Sequence, residues 1–96
     1  MSQAKWSKRA QLDFARINDF YQDVAPAYAD RLGEAALGAA RVLAENPRGG
    51  MLIEGEIRKW RIMSFEYVLI YRITRTGIEV LRMHHARENW RRRPSA

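Results

Sequence analysis

The sequence predicts an α+β fold of order β-α-α-β-β-β, with an N-terminal helical hairpin packed on a small antiparallel sheet. Two observations carry this reading. Apolar residues recur at helical spacing as far as Pro47, and beyond it the period shortens to two. The breaks then fall where turn chemistry places them, at Ala25-Pro26, at Asn46-Pro47 with Gly49-Gly50, and at Thr74-Arg75-Thr76-Gly77.

The elements follow in order. Residues 3–6 form a brief edge strand. Ser7 is an N-cap ahead of a helix over about 8–23. On that helix Ala10, Phe14, Ile17, Tyr21 and Val24 make the apolar stripe, and Asp13, Arg16 and Asp19 fall away from it. Proline disfavours helix in the residue before it, so Ala25-Pro26 separates this helix from a second over 27–45. The second helix shows Tyr28, Leu32, Ala36, Ala39 or Ala40, and Leu43 on one face, and its many alanines permit close packing on the first. Three strands follow as a meander, at about 57–62, 65–73 and 78–84. The middle one is dense in aromatic and β-branched residues, with Phe65, Tyr67, Leu69, Tyr71 and Ile73 on one side. Glu54 and Glu56 fall in a loop before them.

Composition narrows the function classes. The 96 residues suit one domain, 1–96, ending in a basic tail at 88–96. With 47% hydrophobic residues the chain has material for a core. It contains no cysteine, which excludes disulfides, a thiol nucleophile and Cys-ligated metal. The longest apolar run is far shorter than the roughly 20 residues of a membrane span, and MSQAKWSKRA carries no signal-peptide core. A cytoplasmic protein that makes no membrane contact is expected. The net charge of +6 lies wholly in residues 48–96, where eleven Lys and Arg, ten of them Arg, face five Glu. Arginine favours planar, bidentate contact with carboxylate or phosphate, so the partner is acidic protein, nucleic acid or both.

Three groups of residues are candidates for function. His84 and His85 are adjacent in a strand, so they point to opposite faces and cannot share one metal ion; one is expected in the core and the other at the surface. Neither a metal site nor a cofactor is expected. Arg58, Lys59, Arg61 and Arg72, with Arg82, form a basic strand surface that either docks an anion or is a solvated face paired to Glu66 and Glu79. In the tail, Trp90 among Arg87, Arg91, Arg92 and Arg93 either stacks on a partner or folds back as a lid on the core.

The order Trp-Ser, helix, helix, Asn-Pro, Tyr67-Val-Leu-Ile-Tyr71-Arg72 and Leu81-Arg82-Met83-His84-His85-Ala86-Arg87 resembles the RelE/ParE toxins of bacterial type II toxin–antitoxin modules, over about residues 4–90. The end of the last strand is similar to the Leu-His-Gly-Arg of the ParE-like branch: His84 stands for leucine, His85 and Arg87 match, and Ala86 replaces glycine. The resemblance implies a poison of DNA gyrase that inhibits growth, stabilises plasmids and lacks a catalytic site of its own. Target-binding residues would then be Arg82, His85, Arg87, Trp90, Arg91, Arg92 and Arg93. It also implies a cognate antitoxin that lays an acidic C-terminal segment over the helical hairpin and a sheet edge, in a heterotetramer or higher assembly. The RelE-like alternative is a ribosome-dependent mRNA endonuclease, with His85 as base and Arg61 and Arg87 stabilising the phosphorane. Against it, Val68 stands where that branch carries an arginine, and no tyrosine follows Tyr71. A third alternative is a degenerate relative that only binds its antitoxin.

Overall fold

The computed structural model describes residues 2–87. Strand β1 (Gln3–Trp6) leads into helices α1 (Lys8–Val24) and α2 (Pro26–Glu45), and a 3-10 turn at Pro47–Gly49 follows. Then come β2 (Met51–Glu54), β3 (Ile57–Arg61), β4 (Tyr67–Thr74) and β5 (Gly77–His85). The five strands form one sheet in the order β1-β5-β4-β3-β2. The helical hairpin covers one face of that sheet, and among the described residues no helix covers the other.

Ser7 shows how the first elements are held. Its Oγ accepts the Ala10 amide and so caps α1, and the same hydroxyl donates to the Leu81 carbonyl. Its backbone amide bonds the Val80 carbonyl, extending the β1–β5 ladder past the end of β1. The two helices meet with Ala25 alone between them, and Pro26 opens α2, where a missing amide hydrogen costs nothing. Ala36, Ala40 and Ala44 of α2 and Ala10 of α1 are buried, so the helices lie close to Leu69, Tyr71, Val80 and Met83 on the sheet.

The sequence places the sheet as antiparallel with a short N-terminal edge. The structure makes it mixed, because β1 runs parallel to β5 while the other pairs are antiparallel. Gly77 permits this close approach: its φ is +153°, and a Cβ there would collide with the Gln3 backbone. A further strand, β2, occupies ground expected to be loop, paired to β3 across Gly55-Glu56, with Gly55 at φ +55°. Glu54 therefore ends a strand, and Glu56 lies in the turn.

Two residues of α1 also depart from expectation. Val24, placed in the apolar stripe, is exposed, since α1 ends there beyond the reach of the sheet. Asp13, placed outside the stripe, is only 2% exposed. It lies three residues after Ala10 and four before Ile17, which is same-face spacing on a helix, and its charge is matched by a residue on β5.

Candidate functional site

Strand alternation sorts the basic residues onto two faces. Ile57, Lys59 and Arg61 stand opposite Arg72, Ile70 and Val68 in the β3–β4 register, so these side chains share the face that no helix covers. Val68 and Ile70 are nonetheless buried, Ile70 to 1% exposure. The open face thus has an apolar centre ringed by Lys59, Arg61 and Arg72. Arg61 pairs with Glu66 at 3.0 Å and Arg72 with Glu79 at 2.8 Å, the two cross-strand partners that the sequence names. Exposed pairs of this kind contribute about 0–1 kcal/mol each, so their cations remain available to a stronger anionic ligand.

Two members of the expected basic surface lie elsewhere. Arg58 stands opposite Tyr71, on the helix side, and donates to the carbonyls of Gly50 (2.8 Å) and Arg48 (3.4 Å), so it holds the 3-10 turn against the sheet. Adjacent residues of a strand face opposite ways, so Arg58 and Lys59 cannot share one surface. Arg82 reaches across the outer edge of β5 to Asp13, with Nε 2.8 Å from Oδ2 and Nη2 3.2 Å from Oδ1. The same Oδ2 accepts the Met83 amide at 3.0 Å, and Arg16 lies 3.5 Å from Oδ1. Burial works to raise the Asp13 pKa, but the Arg82 and Met83 hydrogen bonds and the charges of Arg82 and Arg16 outweigh it and hold it below the usual value.

The adjacent histidines divide as expected. His84, opposite Val68, is buried on the open-face side, and His85, opposite Tyr67, is half-buried on the helix side. His84 Nδ1 lies 3.0 Å from the His85 carbonyl, so Nδ1 carries a hydrogen, and in the neutral form of the ring Nε2 is an acceptor. That Nε2 is buried and has no hydrogen-bond partner among the described residues. His85 Nδ1 accepts the Arg87 amide at 3.1 Å, which leaves the ring hydrogen of the neutral form on Nε2. The candidate nuclease group is therefore not assembled. Arg61 is on the open face, His85 is on the helix side against the Tyr67 ring, and Arg87 lies in the turn after β5.

Tyr71 is a buried anchor that sequence patterning did not single out. Its hydroxyl donates to the Pro47 carbonyl at 2.7 Å and accepts the Gly50 amide at 2.8 Å, joining the centre of the sheet to the chain between α2 and β2. Burial pushes its pKa up, against the opposing effects of the Gly50 amide and Arg58.

A concavity went unread in the sequence, because it exists only once α1 is laid beside the ends of β4 and β5. Arg16, Ile17, Phe20, Tyr21, Tyr67 and His85 line it, and its volume is about 370 Å³. The Tyr67 hydroxyl donates to that of Tyr21 at 3.2 Å, and Phe20 meets Tyr21 edge-on. Trp90, Arg91, Arg92 and Arg93 lie outside the described residues. Among the described residues no group of three His, Asp or Glu is placed to hold a metal ion, and no helix is long and apolar enough to cross a membrane.

With this geometry in place, the comparisons with known proteins decide the family. The sequence profile described as "ParE toxin of type II toxin-antitoxin system, parDE" matches residues 4–90. The chain belongs to the ParE toxin family. It is 30% identical over 86 residues to "Toxin RelE2" of Caulobacter vibrioides, covering 90% of this chain and 97% of that one. A solved structure, "Chromosomal ParDE TA system from P. aeruginosa", is similar to it with a TM-score of 0.75 and 21% identity, covering 88% of this chain and 96% of that one. That likeness is one of fold: two helices on a five-stranded mixed sheet. In this ParE-family toxin the open sheet face carries three cations, Lys59, Arg61 and Arg72, and the cleft beside α1 is lined by Arg16, Phe20, Tyr21, Tyr67 and His85.

Proposed function

We propose that this ParE-family toxin acts in the cytoplasm by binding and poisoning DNA gyrase, performs no chemistry of its own, and is neutralised by a cognate antitoxin. The observation that carries the reading is the division of His85 and Arg61 between opposite faces of the sheet. A ribonuclease of the alternative kind needs a base and phosphorane-binding cations around one phosphate. His85 also presents a ring N–H where a base needs a lone pair, since Nδ1 is occupied by the Arg87 amide. A surface of cations around an apolar centre suits binding instead. The antitoxin is part of the reading because the family is defined by type II modules, and the Pseudomonas structure is of a ParDE system.

A second reading, mRNA cleavage, is favoured by one observation. The His84 Nε2, buried and without a partner among the described residues, lies on the same face as Lys59 and Arg61. Expression without antitoxin separates the two. Gyrase poisoning induces the DNA-damage response and leaves transcripts whole, and purified toxin then blocks supercoiling. Prompt cleavage of mRNA on ribosomes, with chromosomes intact, sinks the gyrase reading.

A further inference from the structure

α1 turns a face to solvent on which Arg9, Leu12, Arg16, Phe20 and Asp23 are all exposed, Leu12 to 62% and Phe20 to 60%. Their spacings of three, four, four and three residues keep them within about a quarter of the helix circumference, away from the buried Ala10 and Ile17. The two large apolar side chains thus stand one turn to either side of Arg16, and a base and an acid close the two ends. Those end charges run against the helix dipole. Lys8 and Arg9 lie in the first turn, beside the free amides, and Asp23 lies in the last, beside the free carbonyls. No acid occupies the first turn and no base the last. Neither Arg9 nor Asp23 has an ion pair among the described residues. Within one chain the arrangement is unfavourable at both ends and leaves the apolar residues between them in water.

Both features are relieved by one partner, the same helix reversed. Read from either end the face has the same spacing, with the sign of its end charge exchanged. A second α1 laid antiparallel, with a two-fold axis at Arg16, sets Arg9 against Asp23 of the second copy and Leu12 against Phe20 of the second copy. Symmetry repeats each contact. Steps of three and four residues are those of helices that cross at about 20°, a small enough angle to keep the end charges within reach. Each helix start then lies beside a helix end, so the dipoles attract as well. The two Arg16 guanidinium groups approach near the axis, where each is 3.5 Å from its own Asp13 and a turn away from Asp19 of the second copy. A polyanion is matched less well. α1 carries Lys8, Arg9 and Arg16 against Asp13, Asp19 and Asp23, a net charge of zero, so a nucleic acid gains nothing by running along it.

We infer that the toxin associates with a second copy of itself through this face of α1, the two helices antiparallel about a two-fold axis at Arg16. The pairing stands apart from the action on gyrase and from the antitoxin, since it follows from the sign and spacing of residues on one helix. A single pair of helix faces is small beside the roughly 1,200–2,000 Å² that stable complexes bury, so the dimer is weak and forms at micromolar concentrations and above.

The test is sedimentation equilibrium of the full chain, from micromolar to several hundred micromolar, where the average mass is expected to rise toward that of two chains. Leu12→Glu and Phe20→Ser are each expected to weaken association by about tenfold or more, because each contact occurs twice. Arg9→Glu and Asp23→Arg are each expected to weaken it by about threefold or more. The double variant is expected to return to within about threefold of wild type, since the pair is restored with its signs exchanged. Arg75→Glu, an equal charge change in the exposed β4–β5 turn, is expected to change association less than about twofold. Thermal melts within a few degrees of wild type show that the variants are folded. A wild type that stays a single chain across the range overturns the inference. So does a dimer that Leu12→Glu and Phe20→Ser leave intact, because it forms through another face. A double variant no better than either single one rules out the antiparallel register and overturns it too. If wild type stays single and Leu12→Glu instead lowers affinity for a cognate antitoxin, the face belongs to that partner, and the inference fails while the toxin–antitoxin reading stands.

Discussion

Asp13 of α1 and Arg82 of β5, 69 positions apart, meet in a two-pronged ion pair whose carboxylate also receives the Met83 amide. β1 pairs with β5 only as far as Val80, so the outer edge of β5 is bare beyond it. Asp13 supplies from a helix the acceptor that the missing strand residue would supply. One side chain thus docks α1, orients Arg82 and protects an edge amide.

Asp13→Ala is expected to lower stability by about 2–4 kcal/mol, because it removes the two-pronged acceptor of a half-buried guanidinium and the carboxylate that receives the Met83 amide. Replacing the pair as Asp13→Leu with Arg82→Met is expected to cost less than Asp13→Ala alone, since no unpaired charge is left behind. Urea denaturation of the three proteins checks both statements.

The Asp13 pKa is lower in the folded protein than its ordinary value of 3.8. Its contribution is therefore complete above that value and is lost as pH falls through the lowered folded pKa. The stability difference between wild type and Asp13→Asn should be constant from neutral pH down to about 5 and shrink below about 4. Denaturation midpoints across that range test the sign.

Tyr71→Phe should cost about 1–3 kcal/mol, because the buried Gly50 amide loses its acceptor. Gly50→Ala should cost at least as much, as the added Cβ would lie 2.7 Å from the Lys59 carbonyl and displace the Tyr71 hydroxyl. Both proteins should melt earlier, and a sheet that melts without such a shift would show the anchor to be dispensable. The Tyr71 pKa is raised in the fold, so its share of stability is whole below about pH 10 and fades as pH rises past that.

Reversing Lys59, Arg61 and Arg72 to Glu should cut toxicity and gyrase inhibition by about tenfold or more while altering the melting temperature little, because the pairs lost are exposed. The wild-type effect should also weaken as salt is raised. Unchanged inhibition by the triple variant would remove the open face from the target contact.

Deleting residues 88–96 should abolish toxicity and spare most antitoxin affinity, with Trp90→Ala doing part of the damage and charge reversal at Arg91, Arg92 and Arg93 adding salt sensitivity. Should the truncated protein instead melt early and lose every activity together, the tail serves the core and not the target.

The sequence was most informative where one local rule decided the outcome. Ser7 capped a helix, Pro26 opened one, and the alternation from Tyr67 to Ile73 ran along the helix-facing side of the central strand. It was silent where an element depended on a partner far along the chain. Asp13 looked polar and therefore exposed, and only the position of Arg82 makes its burial tolerable. β2 was hidden by the glycines on either side of it, which mark a tight turn and a close approach to Tyr71. Arg58 was grouped with Lys59 by composition, and alternation alone was enough to part them. The cleft was illegible because its walls come from α1, β4 and β5.

The parallel pairing of β1 with β5 joins Gln3 to Gly77 and Trp6 to Val80, which are the first and last strands made. During synthesis the helical hairpin, a local structure, can form as soon as it emerges, while β1 waits for β5, its neighbour in the sheet. Asp13 waits too, because Arg82 and Met83 arrive with the same last strand. Ribosomal stalling or cleavage of the message anywhere before β5 would release a fragment with an unsatisfied buried acid and an unpaired strand, a natural substrate for proteases. A chain that stops before β5 thus lacks the strand that pairs with β1 and the arginine that pairs with Asp13.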